Sequence, residues 1–207
     1  MKRKIKFISA LSLVVILSSV GCGNKEADDN ASTNNTTNTT QQQNATEDTA
    51  YVDKYYQFYG DYMTPLGTYG FYNTPDLTIE YYNENEYPGN KKYVEDLKAA
   101  YLDSKEKIQL FVNSLENELE TEDEKLNELN KNIIDYGKKT IENIDEKLKK
   151  LESLPEEAYN KGKEEFIRFV DESTKVENDM KNDFEKALDN MKDALGIDDN
   201  NNDNNNK

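Results

Sequence analysis

The side chains best suited to chemistry in this chain are carboxylates, a single thiol and a run of phenols. There are 42 Asp and Glu against 26 Lys and Arg, one cysteine, Cys22, and no histidine. Without histidine the commonest general base and transition-metal ligand are missing, which excludes Ser-His-Asp and Cys-His nucleophilic mechanisms. Carboxylate pairs remain. Glu116 with Glu120 and Glu118 with Glu122 stand four apart, a spacing that puts two side chains together on a helix. A catalytic pair, however, needs a concave, partly buried setting that drives the two pKa values apart. In so acidic a stretch the expected setting is a solvated face. Asp199, Asn201 and Asp203 open like a calcium loop, but Asn204 stands where that loop needs glycine and the closing glutamate is missing. No phosphate-cradling glycine loop or zinc spacing is present. The residues therefore predict no catalysis, no metal and no cofactor.

Eleven of the fourteen tyrosines fall within residues 51–93, which makes this region a candidate binding surface. Aromatic faces with a polar rim suit sugar rings, and Tyr55, Tyr56 and Tyr59 are the candidates for stacking on a glycan. The competing expectation is that these rings pack on helices, each phenol reaching a partner or water at its rim. Packing is the favoured reading, and tryptophan, a strong stacking residue, is absent.

The thiol has a more specific setting. Lys2, Arg3, Lys4 and Lys6 precede an apolar run from Phe7 to Leu17, broken only by serines, and Ser18, Ser19, Val20 and Gly21 lead to Cys22. Taken on to Val20 the stretch is about 14 residues, short of the ~20 that span a bilayer, so a cleaved signal peptide is expected over a permanent span. Ser19-Val20-Gly21-Cys22 resembles the lipobox of bacterial lipoproteins, with serine where leucine is usual. The resemblance implies cleavage after Gly21 and a diacylglyceryl group on Cys22. Two acyl chains give stable anchoring where one is marginal. The Lys-, Asn-, Ile-, Tyr- and Glu-rich composition suits a low-GC Gram-positive bacterium, with the protein on the outer face of its cell membrane.

Loss of residues 1–21 removes four bases and no acid, taking the formal charge from −16 to −20. Such a surface repels phosphate backbones, so nucleic acid is not an expected partner. Residues 22–50 are dominated by Asn, Thr, Gln and Asp and have no large apolar side chain, the composition of a disordered linker. A coil of ~28 residues spans roughly 30 Å and would lift the folded part of the chain off the lipid. Residues 197–207 read as a disordered acidic tail. Roughly 145 residues remain between them, enough for one modest core.

That core is helical by periodicity. Val52, Tyr55, Tyr56, Tyr59, Tyr62 and Met63 predict a short amphipathic helix over 50–63. Thr64-Pro65-Leu66-Gly67, Thr74-Pro75-Asp76 and Tyr87-Pro88-Gly89-Asn90 read as turns, the last as type II. Leu77, Ile79 and Tyr81 alternate with polar residues, but a lone strand would lack a partner. From 91 to 153 an apolar stripe from Val94 to Leu151 holds one phase near 3.6 residues per turn, with Asn90 as expected N-cap. The stripe lapses between Leu119 and Leu126, where Thr121 and Glu124 could form a capping box. Unbroken phase and the lack of Gly or Pro favour one continuous helix.

Ser153-Leu154-Pro155-Glu156 then reads as a stop and a new start, opening a helix over 155–195 with Gly162 inside it and Gly196-Ile197 as its end. The arrangement expected is all-α. Long amphipathic helices form an elongated antiparallel hairpin or bundle, with the tyrosine-rich residues 51–90 packed on one end.

Lipobox, polar linker, tyrosine-rich helix and long helices together resemble the YiiG-like bacterial lipoproteins of unknown function, as does Tyr159-Asn160-Lys161-Gly162-Lys163-Glu164. The resemblance implies no activity. The function expected is contact with a protein partner or a second copy, or service as a surface spacer. The alternative is binding to cell-wall glycan through the tyrosine-rich segment.

Overall fold

The computed structural model describes residues 49–196, and every regular element among them is helical. Six α-helices and three shorter helical segments make up the regular structure of the described residues, which contain no strand.

The first helix, α1, covers residues 49–58 and buries Tyr51, Tyr55 and Phe58 along one side. It widens into a π turn, Tyr59–Met63, and then tightens into a 3-10 helix, Thr64–Tyr72. Pro65, which has no amide to donate, sits at this change of winding. The expected turn at Thr74-Pro75-Asp76 instead starts α2, Pro75–Glu84. The Thr74 hydroxyl accepts from the Leu77 amide at 3.2 Å, and Pro75 holds the first helical turn. Ile79 and Tyr82 face inward while Leu77 and Tyr81 face out, so the alternation noted there belongs to a helix.

α3 spans Asn90–Glu118 and α4 spans Glu124–Glu152, each 29 residues or about 43 Å. This corrects the expectation of one helix from 91 to 153. The lapse in the stripe is a break: Asp123 accepts from the Leu126 amide at 2.9 Å, and its own amide donates to the Thr121 hydroxyl at 3.1 Å. Folding α4 back on α3 buries both stripes against each other, which a single rod would leave to solvent. Asn90 is likewise not the cap of α3. Its side-chain amide donates to the Tyr159 and Lys161 carbonyls at 2.9 and 2.8 Å and its oxygen accepts from Tyr87, tying the start of α3 to a distant segment.

The expected helix over 155–195 is three pieces. A 3-10 helix, Glu156–Asn160, precedes α5, Lys163–Thr174, and α6, Lys181–Ala194, follows after a connection over 175–180. Asn178 adopts φ of 58° in that connection, a left-handed conformation asparagine accepts more readily than most residues. Gly162 precedes α5 rather than interrupting a helix. Gly196 has φ of 69° and donates to the Asp193 carbonyl at 3.2 Å, in line with a left-handed C-terminal stop, while Ile197 lies outside the described residues.

The elements form four antiparallel columns. Residues 49–72 run along α3, with Tyr55 meeting Phe111 and Tyr69 meeting Asp103. α4 lies between α3 and the α5–α6 column. The ring closes where Tyr51 donates to the Met191 sulfur and Lys181 reaches Asn73. One apolar cluster gathers Phe111, Ile133, Phe184 and Met191, and a second gathers Tyr93, Leu97, Leu151, Phe166 and Val170. α2 packs against α5 beside the second cluster.

Candidate functional site

Cys22 and Gly21, and the Asp199, Asn201 and Asp203 group, lie outside the described residues. The three candidate stacking tyrosines do not share a face. Tyr55 is 1% exposed, stacked on Tyr59 at 6.2 Å and edge-on to Phe111 at 6.0 Å. Tyr59 is half-buried, and Tyr56 points outward at 46% exposure. Helical spacing explains the split: residues 55 and 59 are one turn apart, whereas 56 is rotated about 100° away. The acid pairs also part company, because Glu120 and Glu122 follow the end of α3 and all four carboxylates are exposed.

What the fold does assemble is a cavity of about 560 Å³ between the two apolar clusters. This is within the size range of small-molecule sites. All four columns line it. Tyr59, Tyr69 and Tyr72 come from the first, Tyr101 and Ile108 from α3, Thr140, Asn143 and Lys147 from α4, and Asp171 to Leu188 from the last. The α5–α6 break lies in its wall, with Lys175, Val176 and Asp179 of the connection among the lining residues.

The connection is fastened to α4. The Lys147 ammonium pairs with the Asp179 carboxylate, the Met180 amide donates to the Asn143 side chain at 2.9 Å, and Lys150 donates to the Lys175 carbonyl. Burial raises the Asp179 carboxyl, but Lys147 and the Lys181 amide outweigh it and hold the group below the usual carboxylate range. Burial pushes the Tyr101 phenol up to about 12, with Asp171 and Asp179 adding to the shift and Thr174 opposing it. Tyr101 is therefore a neutral phenol at ordinary pH, usable as a hydrogen-bond donor and an aromatic wall. The Lys147 ammonium lies 6.0 Å from the centre of its ring. Thr140, also in the lining, is 5% exposed and its hydroxyl has no hydrogen-bond partner.

Sequence reasoning missed this site because no contiguous motif encodes it. A faint signal existed in α4, where Thr140, Asn143 and Lys147 fall beside or within the apolar stripe between Ile133 and Leu151. Polar residues bordering a buried face need partners, and a polar cavity supplies them.

Among the described residues, no three His, Cys, Asp or Glu side chains are grouped to hold a metal ion. None of the described helices is long and apolar enough to cross a membrane. Fold and cavity together define an all-helical domain of a kind compatible with protein–protein interaction. Compared with known proteins, the chain is matched by no family model, no curated protein and no solved structure.

Proposed function

We propose that this is a lipid-anchored extracytoplasmic protein that works by contact with a protein partner and carries out no catalysis. The anchor rests on the signal-like residues 1–21 and the lipobox-like Ser19-Val20-Gly21-Cys22. The tether is the Asn- and Thr-rich stretch expected over 22–50, whose last two residues already belong to the first helix of the bundle. On this reading the bundle stands off the outer face of the cell membrane and presents its sides to neighbours.

The observation that carries the contact reading is on α3. Leu102 and Leu110 are 56% and 42% exposed, eight residues apart on the outward side of a helix whose other faces are packed. Eight residues are about 2.2 turns, so the two side chains stand roughly 80° apart and flank one broad outward side, with the exposed Glu106 between them. Both leucines are already about half covered, so completing their burial at an interface is worth about 1 kcal/mol each, enough to bias a modest contact.

A photo-crosslinking residue placed at 102 or 110 in the full chain on intact cells tests this. The expected result is a discrete adduct from both positions, lost when the other leucine is changed to Glu. An adduct of twice the chain mass would identify the partner as a second copy. Adducts from neither position would overturn the contact reading.

A further inference from the structure

We propose that the cavity between the four columns binds an organic cation, its ammonium held at the Asp171 carboxylate beside the Tyr72 and Tyr101 rings. The sign of the ligand follows from which charges in the lining are already matched. Lys147 is paired with Asp179, Lys175 with Glu172, and Lys181 with the Asn73 amide oxygen at 2.7 Å and Glu185 at 3.8 Å. Asp171 is half-buried and lines the cavity, yet its carboxylate makes no hydrogen bond or ion pair among the described residues. Its charge bears on the Tyr101 and Tyr93 phenols and on the Lys175 ammonium, whose ion pair is with Glu172. A half-buried carboxylate that makes no close ion pair gains from a cation brought directly against it.

The surroundings fit the same ligand. Tyr72, Tyr101 and Asp171 all line the cavity and also share the lining of a second, much smaller pocket, and a ring face attracts an ammonium. Tyr59 and Tyr101 each already have a lysine ammonium over the ring, at 5.0 and 6.0 Å. Ile108, Phe184 and Leu188 give the rest of the cavity an apolar wall for the body of the ligand. The formal charge of −16 draws cations toward the protein and repels anions before any contact is made. An anion would have to approach Asp171 through that field with every nearby lysine engaged.

Three probes with one apolar body and different charge test the proposal on the whole protein: 4-phenylbutylamine, 4-phenylbutan-1-ol and 4-phenylbutyrate, titrated calorimetrically at pH 7. The amine is expected to bind at least about tenfold tighter than the alcohol, a difference of ~1.4 kcal/mol, with the carboxylate weakest. Asp171→Asn should reduce amine binding by about tenfold and leave the alcohol unchanged, since only the charge is removed. Glu164→Gln, an exposed acid outside the cavity, should change neither, which separates a site from general attraction by an acidic surface. Tyrosine ring signals in the NMR spectrum should shift with the amine at Tyr72 and Tyr101. Equal affinity for amine and alcohol, preference for the carboxylate, no amine binding at millimolar concentration, or an equal loss in both variants would each overturn the proposal. The wild-type comparison of the three probes does not depend on any variant folding.

Discussion

Gly137 of α4 faces Val112 of α3 so closely that a Cβ on the glycine would lie 2.6 Å from the valine Cγ2. The same Cβ would meet the Phe184 ring of α6 at 3.1 Å. Three columns therefore meet at a point that only a glycine fits, although glycine is a poor helix former. Gly137→Ala would ordinarily stabilise a helix by ~0.5–1 kcal/mol. Here overpacking should win, and the variant should lose about 1–3 kcal/mol in urea denaturation. A gain in stability would mean the columns are not seated as described.

Tyr55 allows a test with the opposite sign. Its phenol is buried without a hydrogen-bond partner, and burial holds its pKa far above the ordinary value. Tyr55→Phe keeps the ring against Phe111 and removes an unsatisfied oxygen. Thermal unfolding should show a gain of about 1 kcal/mol. Tyr55→Ala should instead cost about 3–5 kcal/mol, as emptying an aromatic site does. If Tyr55 were a glycan-stacking residue on an open face, both changes would leave stability nearly untouched.

The start of α4 in the α3–α4 hairpin is capped by a single side chain. Asp123 satisfies the Leu126 amide, and Asp123→Ala removes that bond while leaving the buried Leu119 and Leu126 in place. The expected cost is ~1 kcal/mol, with Asp123→Asn close to wild type. Both are measured as shifts in the denaturation midpoint. An alanine variant as stable as wild type would show that the cap contributes nothing.

How much of this was legible in the sequence varies by element. The buried stripe residues from Val94 to Leu151 were readable because a helix repeats its inward face every 3.6 residues. The break at 119–123 was visible as a lapse in that stripe, but the phase resumed on the far side and masked it. Phase is a property of one helix, and a loop of suitable length can restore it by coincidence. The break over 175–180 carries Val176 and Met180 in helical register, so its turn residues Glu177 and Asn178 were overshadowed. Asn90 had the composition of a cap, yet its amide serves carbonyls about seventy residues away, a tertiary contact no local rule encodes. The cavity follows the same logic: four separate segments meet only once the chain has folded.

Acid should loosen the α5–α6 connection. The Asp179 carboxyl is held below its ordinary range: burial raises it, but the Lys147 ammonium, the Lys181 amide and the Lys181 charge outweigh burial. A group depressed by folding stabilises the fold fully above its unfolded pKa of ~3.9 and loses that contribution as pH falls through the folded value. Hydrogen exchange at the Met180 amide, which donates to Asn143, should therefore speed up below about pH 4 relative to residues in α4. In Asp179→Asn the connection should already be loosened at pH 7, with a flatter acid response. An unchanged exchange rate in that variant would remove Asp179 from this role.

The claim on which the functional account turns is the anchor at Cys22. It is tested by mass spectrometry of the native protein extracted from cell membranes, with Cys22→Ala alongside. The account predicts that wild type begins at Cys22 and carries a thioether-linked diacylglycerol, and that the alanine variant carries none. A native chain keeping residues 1–21 and a free Cys22 thiol would contradict it.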